Sequence, residues 1–241
     1  MGAAVPGRIE LGRLGYGAAS VGNLYRAVDD ETAQRILDAA WDAGSRYYDT
    51  APHYGLGLSE RRLGAMLRRR PRNQFVVSTK VGRILVPNPD GASRRDDDLF
   101  EVPADQKRRW DLSEAGLRRS LEDSLVRLGL DSVDVVYLHD VERSGQDVAD
   151  AVDTGVAALA RMRDEGLVRA VGGAHADLTA VERAVRTGAI DLVMLPGRYT
   201  LLEAPAQDVV LPLCEEFGVG VVNVAVFNSG LLATPEPSRY S

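Results

Sequence analysis

The strongest constraint on how this chain can fold is a regular alternation of short apolar runs with longer stretches of helical periodicity. The strand-like runs are Leu14 to Ala18, Arg46 to Asp49, Phe75 to Lys80, Val133 to His139, Val168 to Gly172, Leu192 to Leu195 and Gly220 to Val226. Helices are predicted at Glu31 to Ala43, Ser59 to Arg69, Ser113 to Leu128, Asp147 to Glu165, Leu178 to Thr187 and Asp208 to Phe217. Repeated βα units of this kind build a parallel sheet covered by helices. Asp30 and Ser113 are expected to cap two helix starts, and Gly44 and Gly166 to supply the left-handed turn at two helix ends. No Pro/Ser-rich linker or composition shift divides the 241 residues, so a single domain is expected over 1–241.

Two architectures fit the alternation. An open doubly wound sheet would place a Gly-rich turn between its first strand and helix, but Gly12-Arg-Leu-Gly15-Tyr-Gly17 runs through a strand and lacks the dinucleotide spacing. The other is a TIM-type (β/α)8 barrel, which builds its site from residues at the C-terminal ends of several strands. That pattern is present. Asp49 ends one strand with Tyr54 five residues on, Lys80 ends the next, and His139 ends the one after. A barrel is therefore expected, with about seven recognisable strands and no eighth βα unit after Thr234.

Taken singly, each of these four side chains has an ordinary structural explanation. Together, an acid, an amine, an imidazole and a phenol form a set that can move a proton. A Lys80 ammonium near Tyr54 would lower a phenol pKa that starts near ~10, and Asp49 would keep that ammonium charged. His53, His139 and Asp49 are the nearest metal-ligand candidates, but no ligand-spacing motif links them.

The charge balance, 29 basic against 35 acidic residues for a net −6, argues against a nucleic-acid or acidic-membrane partner. The basic run Arg68-Arg69-Arg70-Pro71-Arg72 falls at a helix end, where cations complement the dipole. Cys214 is the only cysteine and sits in an apolar helical pattern, so a core position is expected and no disulfide. No apolar run has the length of a signal peptide or membrane span, which points to a cytoplasmic protein. One connection stands out. Val81 to Asp111 is far longer than a βα loop needs to be; it reads either as a poorly ordered substrate-side loop or as a solvated insertion.

The motifs resemble those of the aldo-keto reductase superfamily. Asp49-Thr-Ala-Pro-His-Tyr54-Gly55 is similar to its Asp-Thr-Ala-x-x-Tyr-Gly motif, and Ser59-Glu60-Arg61-Arg62-Leu63-Gly64 to the helix start that follows. Ser78-Thr79-Lys80 and Tyr137-Leu138-His139 match the strands that carry the other catalytic residues. The sugar dehydrogenase branch acting on L-fucose, D-threo-aldoses or galactose is the most similar, through Gly22-Asn-Leu-Tyr25, Ser124 to Leu130, Gly197 to Glu203 and Phe227 to Thr234.

The resemblance implies hydride transfer between NADP or NAD and the carbonyl or alcohol carbon of an aldose, aldehyde or ketone. It implies Tyr54 as general acid and base, Lys80 and Asp49 as the groups that tune it, and His139 as the group that orients the reacting oxygen. It further implies cofactor contacts at Gly17, Asp49, Gly197, Phe227, Asn228, Ser229, Gly230 and Leu231, and substrate contacts at Tyr25, His53 and His139. The chain departs from the family at several points. Gly172-Gly-Ala-His175-Ala176 lacks the Asn that would hold a carboxamide, Pro196 stands where many members have Gln, and Asn223-Val-Ala-Val226 replaces a small or aromatic approach to the cofactor loop. With no eighth unit, the phosphate grip is expected to be weak and one sheet edge open to a partner or a second copy. A barrel with a lyase, cyclase or isomerase activity is therefore the alternative.

Overall fold

A computed structural model describes residues 4–5 and 9–232; Ala233 and Thr234 of the last motif lie outside the described residues. Two short strands, β1 (Ala4–Val5) and β2 (Ile9–Glu10), form an antiparallel hairpin. There follow β3 (Gly15–Gly17), α1 (Asp30–Asp42), β4 (Tyr47–Asp49), α2 (Leu58–Leu67) and β5 (Val76–Val81). A second hairpin, β6 (Arg83–Pro87) with β7 (Gln106–Trp110), interrupts the alternation. The chain then resumes with α3 (Glu114–Leu128), β8 (Val135–His139), α4 (Val148–Asp164), β9 (Ala170–Ala174), α5 (Leu178–Arg186), β10 (Leu192–Pro196), α6 (Val210–Phe217) and β11 (Gly220–Val224).

The seven strands expected from the sequence pair in parallel in the order β11-β10-β9-β8-β5-β4-β3, a nearly closed barrel. Tyr47, Tyr48 and Asp49 of β4 align with Val76, Val77 and Ser78 of β5. Lys80 then lies opposite Tyr137, and His139 opposite Ala174. Successive side chains on a strand point to opposite faces, so this register sends Tyr47, Asp49, Ser78, Lys80, Tyr137 and His139 into the bore. Their neighbours Tyr48, Val77, Val136 and Leu138 join the larger core between sheet and helices.

The bore is apolar at its N-terminal end. Ile9 and Leu11 pack there with Val135, Ala170 and Leu192, each the first residue or nearly so of its strand, so the β1–β2 hairpin plugs the barrel. Helix ends follow the sequence with one shift of register. The cap of α1 is Asp29, whose carboxylate accepts the amide of Thr32 at 2.7 Å; Asp30, expected in that role, begins the helix and pairs instead with Arg62. Ser113 caps α3 as expected. The basic run at the end of α2 is consumed internally: Arg68 donates to the Leu128 carbonyl, Arg70 pairs with Asp38, and Arg72 pairs with the buried Asp134. Cys214 is buried in the helix–sheet core.

Helices α2 and α3 approach closely because Gly64 has no side chain. A Cβ there would stand 2.0 Å from the Leu128 carbonyl oxygen. Helix propensity alone would favour Ala at this position by roughly 1 kcal/mol, but backbone cannot yield as a flexible side chain can. Gly64→Ala should therefore lower stability by about 1–3 kcal/mol, measured as a drop in the urea midpoint. An unchanged or raised midpoint would show that the two helices tolerate separation.

Candidate active site

The site is built on a buried ion pair. Lys80 Nζ lies 2.5 Å from Asp49 Oδ2 and donates a second hydrogen bond, at 3.0 Å, to the Thr50 carbonyl. The other oxygen of Asp49 accepts from Ser78 Oγ at 2.7 Å. Behind it the Tyr47 hydroxyl meets Ser78 Oγ at 3.0 Å and the Tyr137 hydroxyl at 3.1 Å. Lys80 is 1% exposed, and its charge is tolerable because a carboxylate and a backbone carbonyl both accept from it. Burial works against the ammonium, but Asp49 and Tyr54 together outweigh it, and the Lys80 pKa lies above its ordinary value.

Tyr54 reaches this pair from the loop after β4. Lys80 Nζ stands 4.6 Å from the centre of its ring. The His139 ring lies 6.1 Å away at right angles, the His53 ring 6.0 Å, and Phe100 5.9 Å. The loop holds this position because Gly55 takes a positive φ of 61° directly against Gly22; a Cβ there would stand 2.2 Å from the Gly22 carbonyl oxygen. Thr50 and Ser59 share a 2.8 Å hydrogen bond, and Ser59 donates to Ala18, which ties the same loop to β3 and α2. The Glu60 and Arg62 of the following helix are scaffolding: Glu60 accepts from Thr79 and Arg127, and Arg62 donates to Asp30, Val21, Asn23 and Val28.

Sequence reasoning expected Lys80 to depress the Tyr54 phenol below its ordinary pKa. The direction is the reverse. Burial raises it above 10, and the Lys80 charge offsets only part of that rise. His139 is held well below its ordinary value near 6.5, first by burial and then by repulsion from Arg83 and Lys80. His53 is lowered to about 2 by burial and by Arg83 and Arg108. Both rings are neutral at physiological pH.

The long connection is an ordered hairpin, which corrects the expectation of little fixed structure. Apolar contacts among Leu56, Leu85, Phe100 and Val102 form a satellite core beneath it, with Leu24, Tyr54 and Leu58 at its edge. Arg108 pairs with Asp96 through two 2.7 Å bonds and donates to the His53 carbonyl at 3.0 Å. Arg83, 4% exposed, stacks on Trp110 and pairs at 2.6 Å with Asp140, whose Oδ2 lies 3.5 Å from His139 Nε2. No sequence pattern singles out Arg83 or Asp140, and Asp98 is legible only as the last residue of the charge run Arg94 to Asp98 in the long connection. Ser78, Tyr47 and Tyr137 could have been found, since each stands two residues before a named site residue on the same face.

The remaining expected positions divide. Gly17 and Asp49 line a cleft of ≈ 570 Å³ between β3 and β11 together with Phe227. Asn228, Ser229 and Gly230 continue from Phe227 in a turn with positive φ at all three. Gly197, also at positive φ, follows β10 and donates to the Val224 carbonyl. Leu231 closes the turn by donating to Asn228. Tyr25 is set at φ 60°, donates its amide to Leu99, and its hydroxyl lies 3.4 Å from Ser229 Oγ, so it bridges the hairpin and the turn. His175 is fully buried beside Glu142 at 3.3 Å. No group of three or more His, Cys, Asp or Glu able to hold a metal occurs among the described residues. Among the described residues no helix is long and apolar enough to cross a membrane.

A nearly closed parallel barrel with an acid, an amine, an imidazole and a phenol at one rim defines a class of barrel enzymes, and comparison with known proteins narrows it. Residues 13–239 match the aldo/keto reductase family, and the chain belongs to that family. It is 54% identical over 239 residues to a D-threo-aldose 1-dehydrogenase from Pseudomonas sp, covering 98% of this chain and 72% of that protein. It is 34% identical over 238 residues to a pyridoxal 4-dehydrogenase from Microbacterium luteolum, covering 92% of this chain and 69% of that protein. The holo form of an aldo-keto reductase from Bacillus halodurans superposes with a TM-score of 0.75 at 28% identity, covering 95% of this chain and 67% of the other. The chain is an oxidoreductase.

Asp49→Asn should cost about 3–5 kcal/mol of unfolding free energy, because it leaves the Lys80 ammonium buried without its counter-charge. A loss under ~1 kcal/mol would mean that water reaches the pair and screens it.

The histidines make a separate pH prediction. A base whose folded pKa lies below its unfolded value contributes stability that is full above the unfolded pKa. That stability is lost as pH falls toward the folded value. For His53 the window runs from about 6.5 down to about 2, and His139 acts in the same direction. Each can remove up to about 1.4 kcal/mol per pH unit. Glu142, lowered to about 2, adds its own loss only below 4.5. The urea midpoint should therefore fall as pH drops from 6.5 to 4.5, and His53→Gln should flatten that slope. The same slope in the variant would mean that His53 takes up its proton in the folded state.

Proposed function

We propose that this protein transfers hydride between NAD or NADP and the carbonyl carbon of an aldose or simple aldehyde, with Tyr54 as the proton donor and acceptor. The observation that carries this reading is the placement of the Tyr54 ring against the Lys80 ammonium, with His139 at right angles beside it. The dehydrogenase relatives favour a redox reaction over a lyase or isomerase, and the D-threo-aldose 1-dehydrogenase favours an aldose.

The residues around the β3–β11 cleft fit a dinucleotide. Asn228, Ser229 and Gly230 follow Phe227 at positive φ, which makes a tight, small-residue turn at the edge of the cleft that the cofactor backbone can approach closely. Gly17, Asp49 and Phe227 line the cleft, and Gly197, bonded to Val224, follows the neighbouring strand β10. When bound there, the nicotinamide ring would supply or accept the hydride.

The chain's own groups handle the proton. In reduction, Tyr54 holds its proton at neutral pH because burial raises its pKa, and it can give that proton to the carbonyl oxygen. His139, neutral, can donate a hydrogen bond to the same oxygen and fix its position without adding charge. Lys80 opposes the burial penalty on the phenolate, which matters most in oxidation, where Tyr54 must take the hydroxyl proton. Asp49 holds the ammonium in place and keeps it charged.

Tyr54→Phe keeps the ring and removes the transferable proton, so turnover should fall by at least ~10² with the melting temperature little changed. Full turnover in that variant would remove Tyr54 from the reaction. Oxidation should accelerate as pH rises into the alkaline range, and Lys80→Met should move that alkaline limb upward as well as slow the reaction. A slowed reaction with the limb unmoved would assign Lys80 to positioning alone.

A further inference from the structure

The hairpin brings one side chain to the site that proton transfer does not use. Asp98 accepts the Leu99 amide through Oδ1 at 3.0 Å, while its Oδ2 faces Nε2 of His53 at 3.7 Å. That separation is too long for a hydrogen bond between the two. His53 is 7% exposed, with its ring edge-on to Phe100 at 5.3 Å and to His139 at 5.8 Å. Its Nδ1 is buried and has no hydrogen-bond partner.

The orphaned nitrogen fixes the tautomer. A buried N–H without an acceptor is rarer and costlier than an unused lone pair. The one proton of the neutral ring therefore belongs on Nε2, the nitrogen directed at Asp98. The result is an N–H donor and a carboxylate acceptor 3.7 Å apart, neither used by the other. A hydroxyl group is the one common substituent that accepts and donates at once. Its oxygen can sit about 2.7–3.0 Å from both atoms. An alkyl group would satisfy neither, and a substrate carboxylate would meet the Asp98 charge.

We infer that Asp98 and His53 form a hydroxyl-recognising pair that selects carbonyl substrates with a hydroxyl on the carbon next to the reacting one. The position follows from the rings: His53 and His139 are near enough that oxygens on neighbouring carbons of one substrate can reach both. Arg83, which pairs with Asp140, is also near enough to interact electrostatically with Asp98. The inference rests on the hydride-transfer reading, and names Asp98 as the specificity-determining residue within it.

The test compares glyceraldehyde with propanal, three-carbon aldehydes that differ in their hydroxyls. The measured quantity is the ratio of kcat/KM for the two, with NADPH or NADH, in the wild type, Asp98→Ala and Asp98→Asn. Asp98→Ala should lower the preference for glyceraldehyde about tenfold or more, mainly through KM, as expected for a hydrogen bond to a charged group. Asp98→Asn keeps an acceptor oxygen and should recover part of the loss. A ratio that stays within about twofold of wild type in Asp98→Ala, or that falls equally in both variants, overturns the assignment. Tyr54→Phe should depress both aldehydes together, which separates failure of the chemistry from failure of recognition. If the wild type reduces neither aldehyde, ligand-observed NMR decides the pair alone: glyceraldehyde signals should broaden with wild type and not with Asp98→Ala, and equal broadening overturns it.

Discussion

The Asp49–Lys80 contact governs this structure. Two charges in a barrel bore are stable only if their geometry is close to ideal and their remaining polar atoms are satisfied. The bore meets both conditions through register: β4 and β5 align so that Ser78, Thr50 and the pair itself close one hydrogen-bonded set. The Tyr47 and Tyr137 hydroxyls extend that set inward, so the polar layer passes into the apolar plug through partnered groups. A one-residue slip between β4 and β5 would turn Asp49 and Lys80 to opposite faces. The catalytic geometry and the strand register are thus one constraint.

That arrangement also explains why burial and charge act on Tyr54 together. The phenol sits over an ammonium that is itself buried, so the field of Lys80 is not screened by solvent, yet the same burial penalises the phenolate. The second effect is the larger. The site therefore suits a proton donor at neutral pH and a proton acceptor only under more alkaline conditions.

Much of this was legible in the sequence, for a physical reason. Strands and helices alternate with strong periodicity, and the seven strands and six major helices appear where that periodicity places them. Asp49, Tyr54, Lys80 and His139 were readable because each ends or follows a strand of the parallel sheet, and barrels gather such ends at one rim. The hairpin was not. Its strands are short, Pro87, Pro89 and Gly91 interrupt the pattern, and the charge run from Arg94 to Asp98 resembles a solvated loop. What orders it is tertiary: Phe100 under Tyr54 and His53, and Arg108 on Asp96 and the His53 carbonyl. The cap of α1 was missed by one position because Asp29 and Asp30 are chemically alike, and only the demand of Arg62 distinguishes them. The sign of the Tyr54 shift was missed because sequence names the neighbours of a group and not the depth at which they lie.

The β6–β7 hairpin carries a consequence for how such an enzyme can change. It has its own antiparallel pairing, shares a small apolar cluster with the loop after β4, and enters and leaves the barrel between β5 and α3. The side chains proposed to move protons stand on barrel strands and the loop after β4, whereas Asp98 and Phe100 stand on the inserted ribbon. Substitution of Asp98, which has no bond to the ion pair or to Tyr54, can therefore alter which molecule is admitted while the bore and its alignment stay as they are. Such a division lets new substrate preferences arise without passing through unfolded or inactive intermediates.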